Sequence, residues 1–305
     1  MNILFSGASS FTGHWFGRAL ADEGHRVLGL FRKRSAAAYE ETRRRRVETT
    51  SQLHECAFDC TFGEKRFLEI IRSHNWDVYC HHASDVTDYR SPAFDPIAAT
   101  RNNTLNLKSV LDALEASGCT RVIFTGSVFE SGEGQGGEGL RAFSRYGVSK
   151  RLSWEIFLFE CHERGLQLEK FVIPNPFGPL EEPRFTSFLA NTWKDGRAAT
   201  CHTPLYVRDN IPVDLLALEY GDFVQDPETR FCYPSGYIES QGRFTERVAA
   251  EFRARTSWDC RLEPTEQSDF SQPLIRVNSQ PSQIRQPDWD EKRFWDDMVE
   301  FYRAP

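Results

Sequence analysis

No apolar run in this 305-residue chain approaches the ~20 residues that a membrane-spanning helix requires, so no bilayer crossing is expected. The opening Met1-Asn2-Ile3-Leu4-Phe5 has no basic stretch ahead of an apolar one, and no signal peptide is expected. The eight cysteines include no Cys-x-x-Cys pair; Cys56 and Cys60 are the closest two. Such scatter fits reduced thiols in a cytoplasmic protein better than a disulfide framework or a zinc site, and no metal is expected. Basic charge is not in surplus either. Lys and Arg number 37 against 44 Asp and Glu, a net charge of −7, which argues against a nucleic-acid scaffold. There is no internal repeat, and a composition of 40% hydrophobic and 27% charged residues excludes disorder, collagen and coiled coil.

The first half of the chain alternates short apolar runs with amphipathic stretches. Strands are expected at Ile3–Phe5, 26–31, 77–80, 121–124 and 169–173, and helices at 11–22, 67–73, 103–116 and 146–164. That alternation predicts an α/β fold, a doubly wound parallel sheet of Rossmann type covered on both faces. After Pro174 prolines punctuate the chain and the rhythm loosens. Residues 1–174 are therefore read as the dinucleotide-binding domain, its sheet completed by later segments. Residues 175–305 are read as a smaller, discontinuous C-terminal lobe, closed by an amphipathic helix over 288–302. The glycine-rich patch 132–139 reads as a mobile loop, with Glu133 and Glu138 as solvated charges.

Gly7-Ala8-Ser9-Ser10-Phe11-Thr12-Gly13 follows the first strand and opens the first helix. Glycine permits a tight turn and a close backbone approach to a pyrophosphate, and the helix N-terminus offers N–H groups and a positive dipole end. Ser10 stands where a middle glycine is usual. After the second strand, where an acidic residue would hold the ribose of NAD, the chain reads Arg32-Lys33-Arg34. Guanidinium groups suit a 2′-phosphate, so NADP (as NADPH) is expected over NAD, with Arg32 the first choice and Lys33 or Arg34 assisting. The following Arg43–Arg46 run reads as a solvated face.

Tyr146-Gly147-Val148-Ser149-Lys150 sits at the start of the long helix, and a spacing of four puts phenol and ammonium on one face. The ammonium favours the phenolate, which makes a general acid or base for carbonyl/alcohol interconversion. His81 and His82 read as packed or cofactor-lining residues, not metal ligands.

Together these residues resemble the extended short-chain dehydrogenase/reductase family of nucleotide-sugar epimerases, dehydratases and reductases, over nearly the whole chain. By that resemblance Asp59 contacts adenine, His82-Ala83-Ser84 lines the cofactor with Ala83 against it, Asn103 steadies the active site, and Tyr146 and Lys150 are the catalytic pair. The third catalytic group is a hydroxyl at the end of the fifth strand. Strand position favours Ser127, and the downstream Val128-Phe129 favours Thr125; Ser127 is preferred. In the C-terminal lobe the resemblance assigns Asn175 and Arg208 to the substrate. It also implies a nucleotide-linked sugar as substrate and a homodimer through the helices at 103–116 and 146–164.

The Asp-Glu pair that dehydratases set beside the hydroxyl is missing, which disfavours water elimination. The leading reading is an NADPH-dependent reductase of a keto sugar on a nucleotide diphosphate. The alternative is an epimerase that retains its cofactor, and the third is a non-catalytic NADP-sensing protein.

Overall fold

The computed structural model describes residues 1–137 and 139–304, so Glu138 lies outside the described residues. In chain order the first elements are β1 (Asn2–Ser6), α1 (Phe11–Asp22), β2 (Arg26–Phe31), α2 (Glu41–Leu53), β3 (Glu55–Phe58), α3 (Lys65–Arg72) and β4 (Val78–His81). Then come α4 (Pro96–Asn103), α5 (Leu107–Ala116), β5 (Arg121–Ser127), α6 (Arg145–His162), β6 (Gln167–Ile173) and β7 (Asn175–Phe177). The remainder comprises α7 (Phe185–Lys194), β8 (Ala199–Thr200), β9 (Val207–Pro212), α8 (Val213–Gln225), β10 (Phe231–Cys232), β11 (Tyr237–Ser240), α9 (Gln241–Arg255), β12 (Leu262–Glu263), β13 (Ile275–Arg276) and α10 (Glu291–Arg303). No helix among the described residues is long and apolar enough to cross a membrane.

The chain divides into two compact units. The first takes residues 1–133, 141–173 and 217–232. Its seven strands run in the order β10-β6-β5-β4-β1-β2-β3, every pair parallel. The order reverses between β1 and β4, and in such open sheets ligands bind at the carboxyl ends of the strands beside that reversal. β1, β4 and β5 are buried almost throughout, as a sheet covered on both faces requires. On one face Leu4, Tyr79, Val122 and Phe124 pack with Phe67, Leu111, Leu114 and Phe157. On the other, Phe16 stacks on Tyr220 at 4.1 Å, and both rings meet Phe171 edge-on.

Two expectations fail locally. The helix expected over 103–116 is two helices, because Asn106 adopts a left-handed conformation (φ 52°) between α4 and α5. The Arg43–Arg46 run lies on α2, and Arg46 is fully buried, its Nε donating to the Ser9 carbonyl at 3.1 Å. A solvated face is wrong for that residue.

The second unit takes residues 134–140, 174–216 and 233–305. β9 pairs with β11, β13 and β7, and β8 with β12. Phe177, Phe244, Phe294 and Trp295 form its aromatic centre. Gln135 of the glycine-rich patch forms a bridge with Val277, and a side chain at Gly136 would meet the Ile275 carbonyl oxygen at 2.2 Å. That part of the patch is pinned, contrary to the mobile loop expected.

Candidate active site

The opening turn is built by close approach. Gly7 has φ +87°, and a Cβ there would lie 2.8 Å from the Ala83 nitrogen; a Cβ on Gly13 would lie 2.3 Å from the Gly7 carbonyl oxygen. Only glycine lets these three segments touch. Ser10 caps α1, its Oγ accepting from the Gly13 N–H at 3.0 Å, and Phe11 and Thr12 begin the helix. Ser10 therefore replaces the missing glycine with a cap, which satisfies one of the orphan N–H groups. His82 knits the turn to β5. Its Nε2 lies 3.0 Å from both Ser10 Oγ and Thr12 Oγ1, and its Nδ1 lies 3.0 Å from Thr125 Oγ1. Burial, reinforced by the charge of Lys150, pushes the His82 imidazole down to about 3, so it serves as a neutral crosslink.

Past β2, Arg32, Lys33 and Arg34 are exposed. Asp59 follows β3 in a left-handed conformation (φ 61°), its N–H on the Lys33 carbonyl at 2.9 Å. Asp85 lies in the loop after β4. Burial works to raise its carboxyl, but hydrogen bonds from Asn102 and Thr87 and the charge of Arg32 carry it below the usual range. Asn103 accepts from the Asp85 N–H at 2.7 Å and donates to Ser153 Oγ at 3.2 Å, tying that loop to α6.

The Tyr146/Lys150 face of α6 is held against the end of β5. A Cβ on Gly147 would lie 2.1 Å from the Phe129 carbonyl oxygen, so helix and turn touch backbone to backbone. The Tyr146 ring lies 5.4 Å from Tyr89 and 6.5 Å from Phe129. Ser127 ends β5 and its Oγ accepts from the Phe129 N–H at 3.2 Å, whereas Thr125 is committed to His82. Lys150 is 2% exposed, with Nζ 4.3 Å above the Phe124 ring and no hydrogen-bond partner among the described residues. Burial lowers its ammonium to about 8, Lys170 reinforces the drop and Glu130 opposes it. A buried cation with unspent N–H groups fits a ligand bearing hydroxyls. The narrow glycine turn fits a diphosphate, so the first unit suits a nicotinamide dinucleotide.

The sequence model of the NAD dependent epimerase/dehydratase family matches residues 3–211, more than half of the chain. The chain belongs to that family. No curated protein matches it in sequence. Solved structures of members align over nearly the full length. UDP-glucose 4-epimerase from Thermotoga maritima, with UDP-glucose, is 17% identical at TM-score 0.74 and covers 99% of each chain. UDP-glucuronic acid 4-epimerase from Bacillus cereus, with UDP-glucuronic acid and NAD, is 13% identical at TM-score 0.77, also over 99% of each chain. dTDP-glucose 4,6-dehydratase from Streptomyces venezuelae, with NAD and TYD, is 17% identical at TM-score 0.74, covering 99% of this chain and 97% of that one. At these identities the likeness is one of fold.

In the second unit, Asn175 donates to the Asp209 carbonyl at 3.4 Å, tying β7 to β9. Arg208 is 5% exposed, lies 4.5 Å from the Tyr206 ring centroid, and donates to Val207, Leu274 and Gln272. Sequence reasoning missed its neighbour Arg276, which pairs with it in parallel register and is 1% exposed. Burial, reinforced by the charge of Arg276, brings Arg208 down to about 10. The two-residue β13 is too short to announce itself in a sequence. Glu133 was missed as well: it is 5% exposed and ion-paired with Lys170 at 2.6 Å.

Proposed function

We propose that this family member is a nucleotide-sugar epimerase that keeps its nicotinamide coenzyme bound through turnover. The observation that carries the reading is the buried Lys150 ammonium, without a hydrogen-bond partner among the described residues, on the same helical face as Tyr146, beside the Ser127 turn. Two of the structural neighbours named above are 4-epimerases of UDP-sugars, which supports the choice of epimerase over reductase. The coenzyme, when bound, supplies reversible hydride exchange at one sugar carbon. Tyr146 takes the proton from that carbon's hydroxyl and later returns one to the same oxygen. Lys150 stabilises the phenolate and binds ribose hydroxyls; at neutral pH it is still mainly protonated. Ser127 donates a hydrogen bond to the reacting oxygen. Arg208 and Arg276, two adjacent buried guanidiniums whose repulsion an anion would relieve, bind the sugar's diphosphate, with Asn175 holding β7 beside them.

The exposed Arg32, Lys33 and Arg34, with no carboxylate at the end of β2, support a coenzyme carrying a 2′-phosphate. The same segment favours the second reading, an NADPH-dependent reductase of a keto sugar. On the outer face of α6, Val148, Leu152, Ile156 and Phe159 form an exposed apolar stripe, which supports a homodimer.

The test is to purify the protein, release its coenzyme by denaturation and identify it by mass spectrometry. The intact protein is then incubated with UDP-hexoses and dTDP-hexoses without added coenzyme. Epimer formation with a retained dinucleotide is expected. Turnover that requires a stoichiometric supply of NADPH would replace the epimerase with the reductase.

A further inference from the structure

Beneath the turn that carries Ser127 lies a set of buried charges to which neither the coenzyme nor the sugar chemistry assigns a role. Glu130 and Lys170 are fully buried and Glu133 is nearly so. Glu130 uses both carboxylate oxygens. Oε1 accepts from the Ser127 N–H at 2.7 Å, and Oε2 accepts from Lys170 Nζ at 2.7 Å. The Glu130 N–H in turn donates to the Ser127 carbonyl at 3.0 Å, so one residue clamps both backbone groups of Ser127. Lys170, on β6, also donates to Glu133 at 2.6 Å and lies 4.7 Å from the Trp154 ring centroid. Gly126 makes room for the pair: a Cβ there would meet Lys170 Cε at 2.5 Å and Glu130 Oε1 at 3.1 Å.

Charge counting gives the arrangement a consequence. One ammonium facing two carboxylates leaves the buried set one unit negative. Arg151, 3.9 Å from Glu133 at the rim, answers part of this. Glu130 also attracts the Lys150 ammonium. The further titratable groups coupled to Lys150 are His81, on β4, and His82, just beyond it; burial holds both neutral.

We propose that Glu130, anchored by Lys170, is the positioning residue of the active site: its carboxylate fixes Ser127 at the strand end and attracts the Lys150 ammonium, which Lys170 repels. The Ser127 and Lys150 roles rest on the function proposed above, but the electrostatic coupling can be measured without turnover. The chain has seven lysines, so labelled-lysine NMR can follow the Lys150 side chain as pH is raised, with Lys150→Arg as the assignment control. Glu130→Gln removes the attracting charge, and Lys150 is expected to titrate about one pH unit lower, a tenfold change in its proton affinity. Lys170→Met removes the repelling charge and is expected to move it upward by a similar amount. Glu130→Gln/Lys170→Met is expected to return it near the wild-type position, with Glu133 left to Arg151 at the rim. In the epimerase assay, Glu130→Gln is expected to lower kcat 10- to 100-fold with KM and bound coenzyme little changed, and the alkaline limb of its pH profile is expected to shift with Lys150. Opposite shifts in the two single variants carry the proposal. Where a single variant does not fold, the other with the double variant supplies the comparison. No shift, or shifts of the same sign, overturns the proposal whether or not the wild type epimerises sugars. An inactive wild type with opposite shifts overturns only the functional reading.

Discussion

Replacing Gly147 by alanine puts one methyl group where α6 meets the Ser127–Glu130 turn. The new Cβ would lie 2.1 Å from the Phe129 carbonyl oxygen and 2.6 Å from its carbon, against the 3.0 Å below which real contacts essentially never fall. The helix or the turn must therefore retreat by about 0.9 Å, the difference between 3.0 and 2.1 Å. On propensity alone the change would gain about 1 kcal/mol, because Gly147 is helical. Overpacking against backbone costs roughly 1–3 kcal/mol and wins, because a carbonyl cannot rotate aside as a side-chain tip can. Whichever side gives way, Tyr146 and Ser127 move apart, and a misplacement of about 1 Å costs on the order of 100-fold in rate. The expected result is a variant with its coenzyme still bound, a melting temperature lowered by several degrees and kcat reduced about 100-fold. Gly137→Ala is the control, since a Cβ there meets nothing within 4 Å. Wild-type turnover in Gly147→Ala would refute the claim that this contact sets the active-site geometry.

Arg46→Met removes the fully buried guanidinium behind the Ser9 carbonyl; coenzyme content after purification is expected to fall well below one per chain, and full occupancy would contradict this. Arg276→Ala is expected to raise KM for a nucleotide sugar at least tenfold with kcat little changed, measured by initial rates, and an unchanged KM removes it from the substrate site. Phe159→Asp, at a side chain 61% exposed on the apolar stripe of α6, is expected to give monomers in light scattering. The two units should answer pH in opposite senses. Burial raises Glu181 to about 7 and Asp214 to about 6, so the second unit holds their stabilisation below the ordinary carboxylate range and loses it as pH climbs toward 7. Burial lowers His14 to about 4 and His82 to about 3, so the first unit holds theirs above pH 6.5 and loses it on acidification. Hydrogen exchange corrected for intrinsic rate should show α7 and α10 more protected at pH 5 than at pH 8, and α1 the reverse.

Local signals were readable wherever pattern and chemistry coincide. Ile3-Leu4-Phe5 followed by a small-residue turn and by Trp15, Phe16, Ala19 and Leu20 on one face could hardly be anything but strand, turn and helix. Phenol and ammonium four residues apart were equally plain. What stayed hidden depends on pairing between distant segments. α2 is so polar that its Arg43–Arg46 run reads as a solvated face, and only packing beneath the opening turn buries Arg46. Glu133 looked solvated among glycines because its partner, Lys170, lies 37 residues away in a strand. The break at Asn106 needed the left-handed tolerance of asparagine, and the weight of Arg276 needed a two-residue strand placed beside Arg208. After Pro174, α7, α8 and α9 went unread because prolines and short strands interrupt any sustained period.

The most direct test of the central claim is isotopic. A nucleotide sugar carrying deuterium on the carbon that is inverted would be turned over by the purified protein with no added coenzyme. If hydride leaves and returns within one site while Tyr146 holds the proton, the product epimer keeps its deuterium, no reduced nicotinamide accumulates, and Tyr146→Phe forms no product. Loss of the label to solvent, or net oxidation of the sugar, would contradict it.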